Sequence, residues 1–188
     1  MKSVKEKQKD IFTSLKERFG YTNSFAAPAL VKVVVSVGTG SSAKNDKGRN
    51  DFVAERLSKI TGQKPRVSGA RTSIASFKLR EKDPIGLSVT LRGGRMYDFL
   101  DRLFNVAVPR IRDFRGFDPA SIDAMGNITI GLAEHNIFPE TADEELRDVF
   151  GLSVTIVTTA RNREEAGSFL SSLGMPFKRE KKEERPVK

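Results

Sequence analysis

Apolar positions along the chain recur with two different periods, and the alternation between them sketches a fold. Val4, Ile11, Phe12, Leu15 and Phe19 follow helical spacing with Gly20 just beyond, which predicts an amphipathic helix over about 4–19 with its apolar stripe in the core. Leu30 to Val37 is valine-rich and places Val31, Val33, Val35 and Val37 on one face of a strand. The strand runs into Gly38-Thr39-Gly40-Ser41-Ser42, expected to be flexible. Asp51 is the expected N-cap of a second helix that turns Phe52, Val53, Leu57 and Ile60 inward and closes at Gly62. A polar stretch from Lys64 to Lys82 predicts a long loop. Leu87, Val89 and Leu91 then alternate with Ser88, Thr90 and Arg92, the pattern of a half-buried strand, ending at Gly93-Gly94. A third helix carries Met96, Phe99, Leu100, Leu103 and Phe104 on one side. Ile128, Ile130 and Leu132, and later Leu152, Val154 and Ile156, give two more alternating strands, separated by a polar segment from Glu140 to Asp148. The last helix starts near an Asn162 cap, with Ala166, Phe169, Leu170 and Leu173 at core spacing.

Strands with one apolar and one polar face, interleaved with amphipathic helices, argue for an α+β fold. The expected architecture is a largely antiparallel sheet with helices packed on one face and the other face free to bind. Residues 1–177 are expected to form a single domain, and 178–188 a charged, disordered tail without apolar anchors. There is no internal repeat.

Composition narrows the chemistry. Of 188 residues, 38% are hydrophobic and 30% charged, which suits a soluble globular chain with a large wet surface. No apolar run approaches the roughly 20 residues needed to cross a bilayer, and the Lys-rich start Met1–Asp10 has no apolar segment behind it. Neither a signal peptide nor a membrane anchor is expected. With no cysteine there is neither disulfide nor thiolate metal site, and with His135 as the single histidine most zinc chemistry is removed. A net charge of +9 points to a polyanionic partner, nucleic acid first, with charge for solubility as the alternative.

Catalytic motifs are thin. Gly38-Thr39-Gly40 after a valine strand invites a phosphate-binding reading, but Ala43, Lys44 and Asn45 do not complete the pattern of a P-loop. His135 has no nucleophile beside it, and Glu144-Glu145 and Glu164-Glu165 suit helix starts better than acid–base work. The stretch Lys64–Lys82 says more: Lys64, Arg66, Arg71, Lys78, Arg80 and Lys82 are interleaved with Ser68, Thr72, Ser73 and Ser76, against Glu81. Such a basic, hydroxyl-rich segment suits phosphate and ribose contacts, and its length exceeds what a merely connecting loop needs, with a solvated loop or hairpin as the alternative. A second cluster, Arg92, Arg95, Arg102, Arg110, Arg112 and Arg115, is offset by Asp98, Asp101 and Asp113, so surface ion pairs of little energetic consequence are the stronger expectation for many of them. Arg92 is the exception, since it shares the polar side of its strand with Ser88 and Thr90. Phe114 and Phe117 around Gly116 suit either packing or base stacking.

Six segments taken in order resemble the ribosomal protein uL5 family. They are Thr61-Gly62-Gln63-Lys64-Pro65, Ala70-Arg71 through Ser76-Phe77-Lys78-Leu79-Arg80, and Pro84-Ile85-Gly86 through Val89-Thr90-Leu91-Arg92-Gly93. Then come Val108-Pro109-Arg110-Ile111-Arg112-Asp113-Phe114-Arg115-Gly116, Ile137-Phe138-Pro139-Glu140, and Phe150-Gly151-Leu152-Ser153-Val154-Thr155-Ile156. The resemblance runs from about Pro28 to Phe177.

It implies a non-catalytic constituent of the large ribosomal subunit, cytoplasmic, that binds 5S rRNA on an exposed sheet face. On that face it places Ser36, Gln63, Lys64, Thr90 and Arg92. Ser36 stands where the family usually has Asn, a shorter side chain without an amide. The implied contact loop for P-site tRNA holds Arg71, Thr72, Ser73, Ser76, Lys78 and Arg80. Gly69 and Thr72 replace frequent lysines there, which weakens the field of the loop. Implied partners are 5S rRNA, 23S rRNA, P-site tRNA, the small-subunit protein uS13 across the interface, and neighbouring 5S-binding ribosomal proteins. Neither cofactor, metal nor homo-oligomer is expected. Two other classes stay open on the residues alone: a basic nucleic-acid enzyme, which needs clustered carboxylates or a metal, and a translation factor that visits RNA transiently.

Overall fold

The computed structural model describes residues 2–40, 48–141 and 149–178. Among these, four helices, α1 (Val4–Phe19), α2 (Arg49–Thr61), α3 (Gly94–Arg102) and α4 (Arg163–Leu173), accompany five strands. The strands are β1 (Leu30–Gly38), β2 (Arg66–Gly69), β3 (Pro84–Leu91), β4 (Ile128–Leu132) and β5 (Leu152–Thr158). They form one sheet in the order β2-β3-β1-β5-β4, with every neighbouring pair antiparallel. The α+β expectation therefore holds.

Alternation sets the layers. Val33, Val35 and Val37 of β1, Leu87, Val89 and Leu91 of β3, Ile128, Ile130 and Leu132 of β4, and Leu152, Val154 and Ile156 of β5 are all buried. They share one apolar cluster with Leu57 and Ile60 of α2, Phe99 and Leu100 of α3, and Phe169 and Leu173 of α4. Because successive strand residues point to opposite faces, one face is committed to the helices and, among the described residues, the other is left open. The caps follow the sequence: Ser3 and Glu6 form a capping box at α1, Gly20 ends it in the left-handed region, and Asn162 caps α4 through Glu165 N.

Four expectations need correction. Asp51 is not an N-cap; α2 begins three residues earlier than expected, at Arg49 after Gly48, without a side-chain cap, and Asp51 lies in the first turn, where it still meets the positive end of the helix dipole. Val31 does not join the other valines. A register shift between Leu30 and Lys32 rotates it outward, so Leu30 is buried and Val31 exposed. The stretch Lys64–Lys82 is not loop throughout, because Arg66–Gly69 pairs with β3 as an edge strand. The third helix does not run regularly through Phe104. It loosens into a π turn at Leu103–Ala107 and a tighter turn at Val108–Arg110, where Pro109 cannot continue the ladder. The stretches 41–47 and 142–148 and the tail beyond Lys178 lie outside the described residues.

Candidate nucleic-acid interface

None of the five strands contains an Asp or Glu. Besides Val34, Val157 and glycines, their open side carries hydroxyls and cations, and the register brings these into rows. Ser36 of β1 lies between Ser88 of β3 and Ser153 of β5, with Gly131 of β4 next to Ser153 and Arg66 of β2 next to Ser88. In the neighbouring row Val34 lies between Thr90 and Thr155, and Thr155 meets Thr129. Lys32 opposes Val157 one row further on, and Arg92 follows β3 on the same side and is exposed.

Hydrogen bonds hold this surface in place. Ser36 Oγ and Ser153 Oγ are 2.9 Å apart, Ser153 Oγ also reaches Ser36 O at 3.4 Å, and Thr129 Oγ1 and Thr155 Oγ1 are 3.0 Å apart. Either serine can be the donor between the two Oγ atoms, and when Ser153 donates to Ser36 O, Ser36 donates to Ser153 and keeps lone pairs to which a ribose hydroxyl can donate. At the edge β2 does not reach, Gln63 Nε2 donates to Thr90 O and Arg95 Nη1 donates to Gln63 Oε1, both at 3.5 Å. Gln63, Thr90, Arg92 and Arg95 thus come together from the α2 end, β3 and the α3 start. Lys64 is exposed beside Gln63. Among the described residues no ion pair engages Lys32, Lys64, Arg66 or Arg92.

Arg71–Arg80 forms a separate feature at the other end of β3. Ala70 and Asp83 close its base, with Ala70 N to Asp83 O at 2.8 Å and Lys82 N to Ala70 O at 2.9 Å. Higher up, Ile74 and Leu79 pair in both directions, so the segment is a narrow hairpin. Its tip is a short turn, Ala75–Phe77, followed by Lys78 at a positive φ of 49°. Arg71, Thr72, Ser76, Lys78 and Arg80 are exposed, and Phe77 stands out at 67% exposure. Ser73 Oγ accepts the Glu81 N–H at 2.9 Å and so helps to build the hairpin. β3 has eight residues, so this hairpin and the Gln63–Arg92 cluster stand roughly 25 Å apart.

Other candidates resolve into structure. His135 is buried, stacks on Phe150 with ring centroids 4.1 Å apart, and accepts the Phe150 N–H on Nδ1 at 3.4 Å. Burial first, and then the Arg56 cation, hold its pKa below the usual histidine value. Arg102 pairs with Glu140 and donates to Ile60 O, which makes it a tie between α3 and the end of α2. Phe117 is buried and packs edge-on against Phe114 at 4.9 Å. Thr39 N donates to Ile85 O, continuing the β1–β3 ladder where a phosphate loop would need a free amide. Among the described residues no group of His, Asp or Glu is placed to hold a metal, and no helix is long and apolar enough to cross a membrane.

Sequence reasoning missed Lys32, Thr129, Ser153 and Thr155 as members of the open face. The alternation in β5 signalled that Ser153 and Thr155 point away from the core. That they adjoin Ser36 required the pairing.

Comparison with known proteins adds an independent finding. Residues 23–80 match the family model described as ribosomal protein L5, and residues 84–177 match the model of the C-terminus of the same ribosomal family. The large ribosomal subunit protein uL5 of Heliobacterium modesticaldum is 49% identical over 96% of this chain and 100% of its own length. Those of Rubrobacter xylanophilus and Thermotoga maritima are 50% and 48% identical, covering 91% and 92% of this chain and 94% and 93% of their own.

Proposed function

This chain belongs to the ribosomal protein L5 family, structural constituents of the large ribosomal subunit and not enzymes, and from that membership we propose that it anchors 5S rRNA on its open sheet face. The observation that carries the proposal is the surface itself: five strands without a carboxylate, a hydroxyl-rich open face, and Lys32, Lys64, Arg66 and Arg92 without an ion pair among the described residues around it. Phosphates meet the cations, while ribose hydroxyls and base edges meet Ser36, Gln63 and Thr90. A rigid, pre-ordered sheet adds shape selectivity to affinity that would otherwise be general for polyanions. Titration against 5S rRNA and a scrambled RNA of equal length, across a salt series, tests this. The preference for 5S rRNA is expected to persist as salt weakens both affinities. Equal binding at every salt concentration would sink the proposal.

The basic hairpin serves a second partner in this reading, the P-site tRNA, through Arg71, Lys78 and Arg80. Its support is the hairpin's projection from the sheet and its exposed cations. Ribosomes carrying Arg71→Ala, Lys78→Ala and Arg80→Ala together are expected to lose protection of the tRNA in chemical footprinting. An unchanged footprint counts against this role. Contacts with 23S rRNA, with uS13 across the subunit interface and with the other 5S-binding proteins belong to the same proposal, and rest on family membership.

A further inference from the structure

A groove of about 320 Å³ runs between α1 and the turn leading into β1, lined by Lys5, Lys9, Phe12, Phe25, Pro28 and Tyr97. It belongs to the helix layer, away from the open sheet face. That volume lies at the lower end of small-ligand sites.

Three features give the groove a chemistry. Phe25 is the most exposed large apolar side chain among the described residues, at 94%. It is held there by a short turn, Ser24–Ala26, in which Asn23 Oδ1 accepts the Phe25 N–H at 3.1 Å. A lone exposed apolar residue is ordinary, but this one stands at the rim of a groove with two further aromatic rings in its lining. Tyr97 is fixed there by its hydroxyl, which donates to Gln8 Oε1 at 3.0 Å. Finally, Lys5 and Lys9 stand one helical turn apart on the rim, exposed and without an ion pair among the described residues. The carboxylates beside them are occupied: Glu6 accepts the Ser3 N–H, and Asp10 pairs with Lys2 at 2.7 Å.

We propose that this groove takes one unpaired RNA base, stacked on Phe25, with its flanking phosphates at Lys5 and Lys9. Uncompensated cations select a polyanion, and an exposed ring face offers a sequence-tolerant stacking platform. The protein then holds two RNA segments, one on the sheet and one on the helix layer. The proposal rests on the RNA-binding reading above but names a different surface.

The chain has no tryptophan, so Phe25→Trp introduces a single reporter at an exposed position. Titrating this variant with a short single-stranded oligoadenylate is expected to give saturable fluorescence quenching. Adding Lys5→Ala and Lys9→Ala is expected to weaken the interaction roughly tenfold. An abasic phosphodiester of the same length is expected to quench little. Equal quenching by the abasic strand, or by an acidic peptide, would overturn base stacking. Absence of quenching in a variant that still prefers 5S rRNA overturns the groove and leaves the sheet-face reading intact. Quenching in a protein that shows no 5S preference does the reverse.

Discussion

A chain carrying Arg66→Ala, Thr90→Val and Arg92→Ala is expected to bind 5S rRNA roughly 10²–10³-fold more weakly than wild type, with its fold unchanged. Arg66 and Arg92 are exposed and engage no carboxylate among the described residues, so removing them leaves no buried charge behind. Valine keeps the shape of Thr90 in β3 and deletes its hydroxyl. The two lost cations should lower the salt slope by about two, while loss of the hydroxyl should reduce the preference over scrambled RNA, the Gln63 hydrogen bond to the Thr90 backbone carbonyl being retained. Arg112→Ala with Arg115→Ala removes the same charge elsewhere on the surface and is the control. If that control costs as much affinity and as much preference as the sheet-face variant, the sheet does not read the RNA. Far-UV circular dichroism of both variants should superpose on wild type.

The second large effect is on stability. Gly116→Ala is expected to destabilise the protein by about 3 kcal/mol, against roughly 1 kcal/mol for Gly62→Ala, measured by urea unfolding. Both glycines sit at positive φ, 104° and 68°, so alanine is strained at either. They differ in what a methyl group would meet. At Gly62 nothing lies within 4 Å, whereas at Gly116 a Cβ would fall 2.6 Å from Lys178 N and Phe177 C. Those are backbone atoms, and they are pinned: Phe117 N donates to Pro176 O at 2.8 Å and Lys178 N donates to Phe117 O at 2.9 Å. The chain must part there to admit the methyl. For a domain whose total stability is expected at about 5–15 kcal/mol, that is a large share. Equal costs at the two sites would show that φ strain alone governs Gly116.

Much of this was legible in the chain. The helical stripes of α1 and α4, the alternation of β3, β4 and β5, and the Gly20 and Gly62 stops depend on periodicity and local backbone preference, and those act over a few residues. Such signals also showed that Thr90 and Arg92 point away from the core. They failed where distant chain settles the outcome. Val31 reads as a member of the valine face, but the bulge that turns it outward exists only because β1 pairs with β5. Arg66–Gly69 carries too little apolar character to announce a strand, and is one because the β3 edge offers it unpaired amides and carbonyls.

The sequence by itself determined the class of fold, the basic and hydroxyl-rich character of the surface, and the absence of cysteine or histidine clusters for other chemistry. Which hydroxyls stand side by side was decided by the tertiary structure. Ser36, Ser88 and Ser153 are separated by many tens of residues along the chain, yet occupy one row across β3, β1 and β5. Strand order and register are set by long-range hydrogen bonding and by burial of the opposite face, so a polar surface spread over five strands exists only once the sheet has formed.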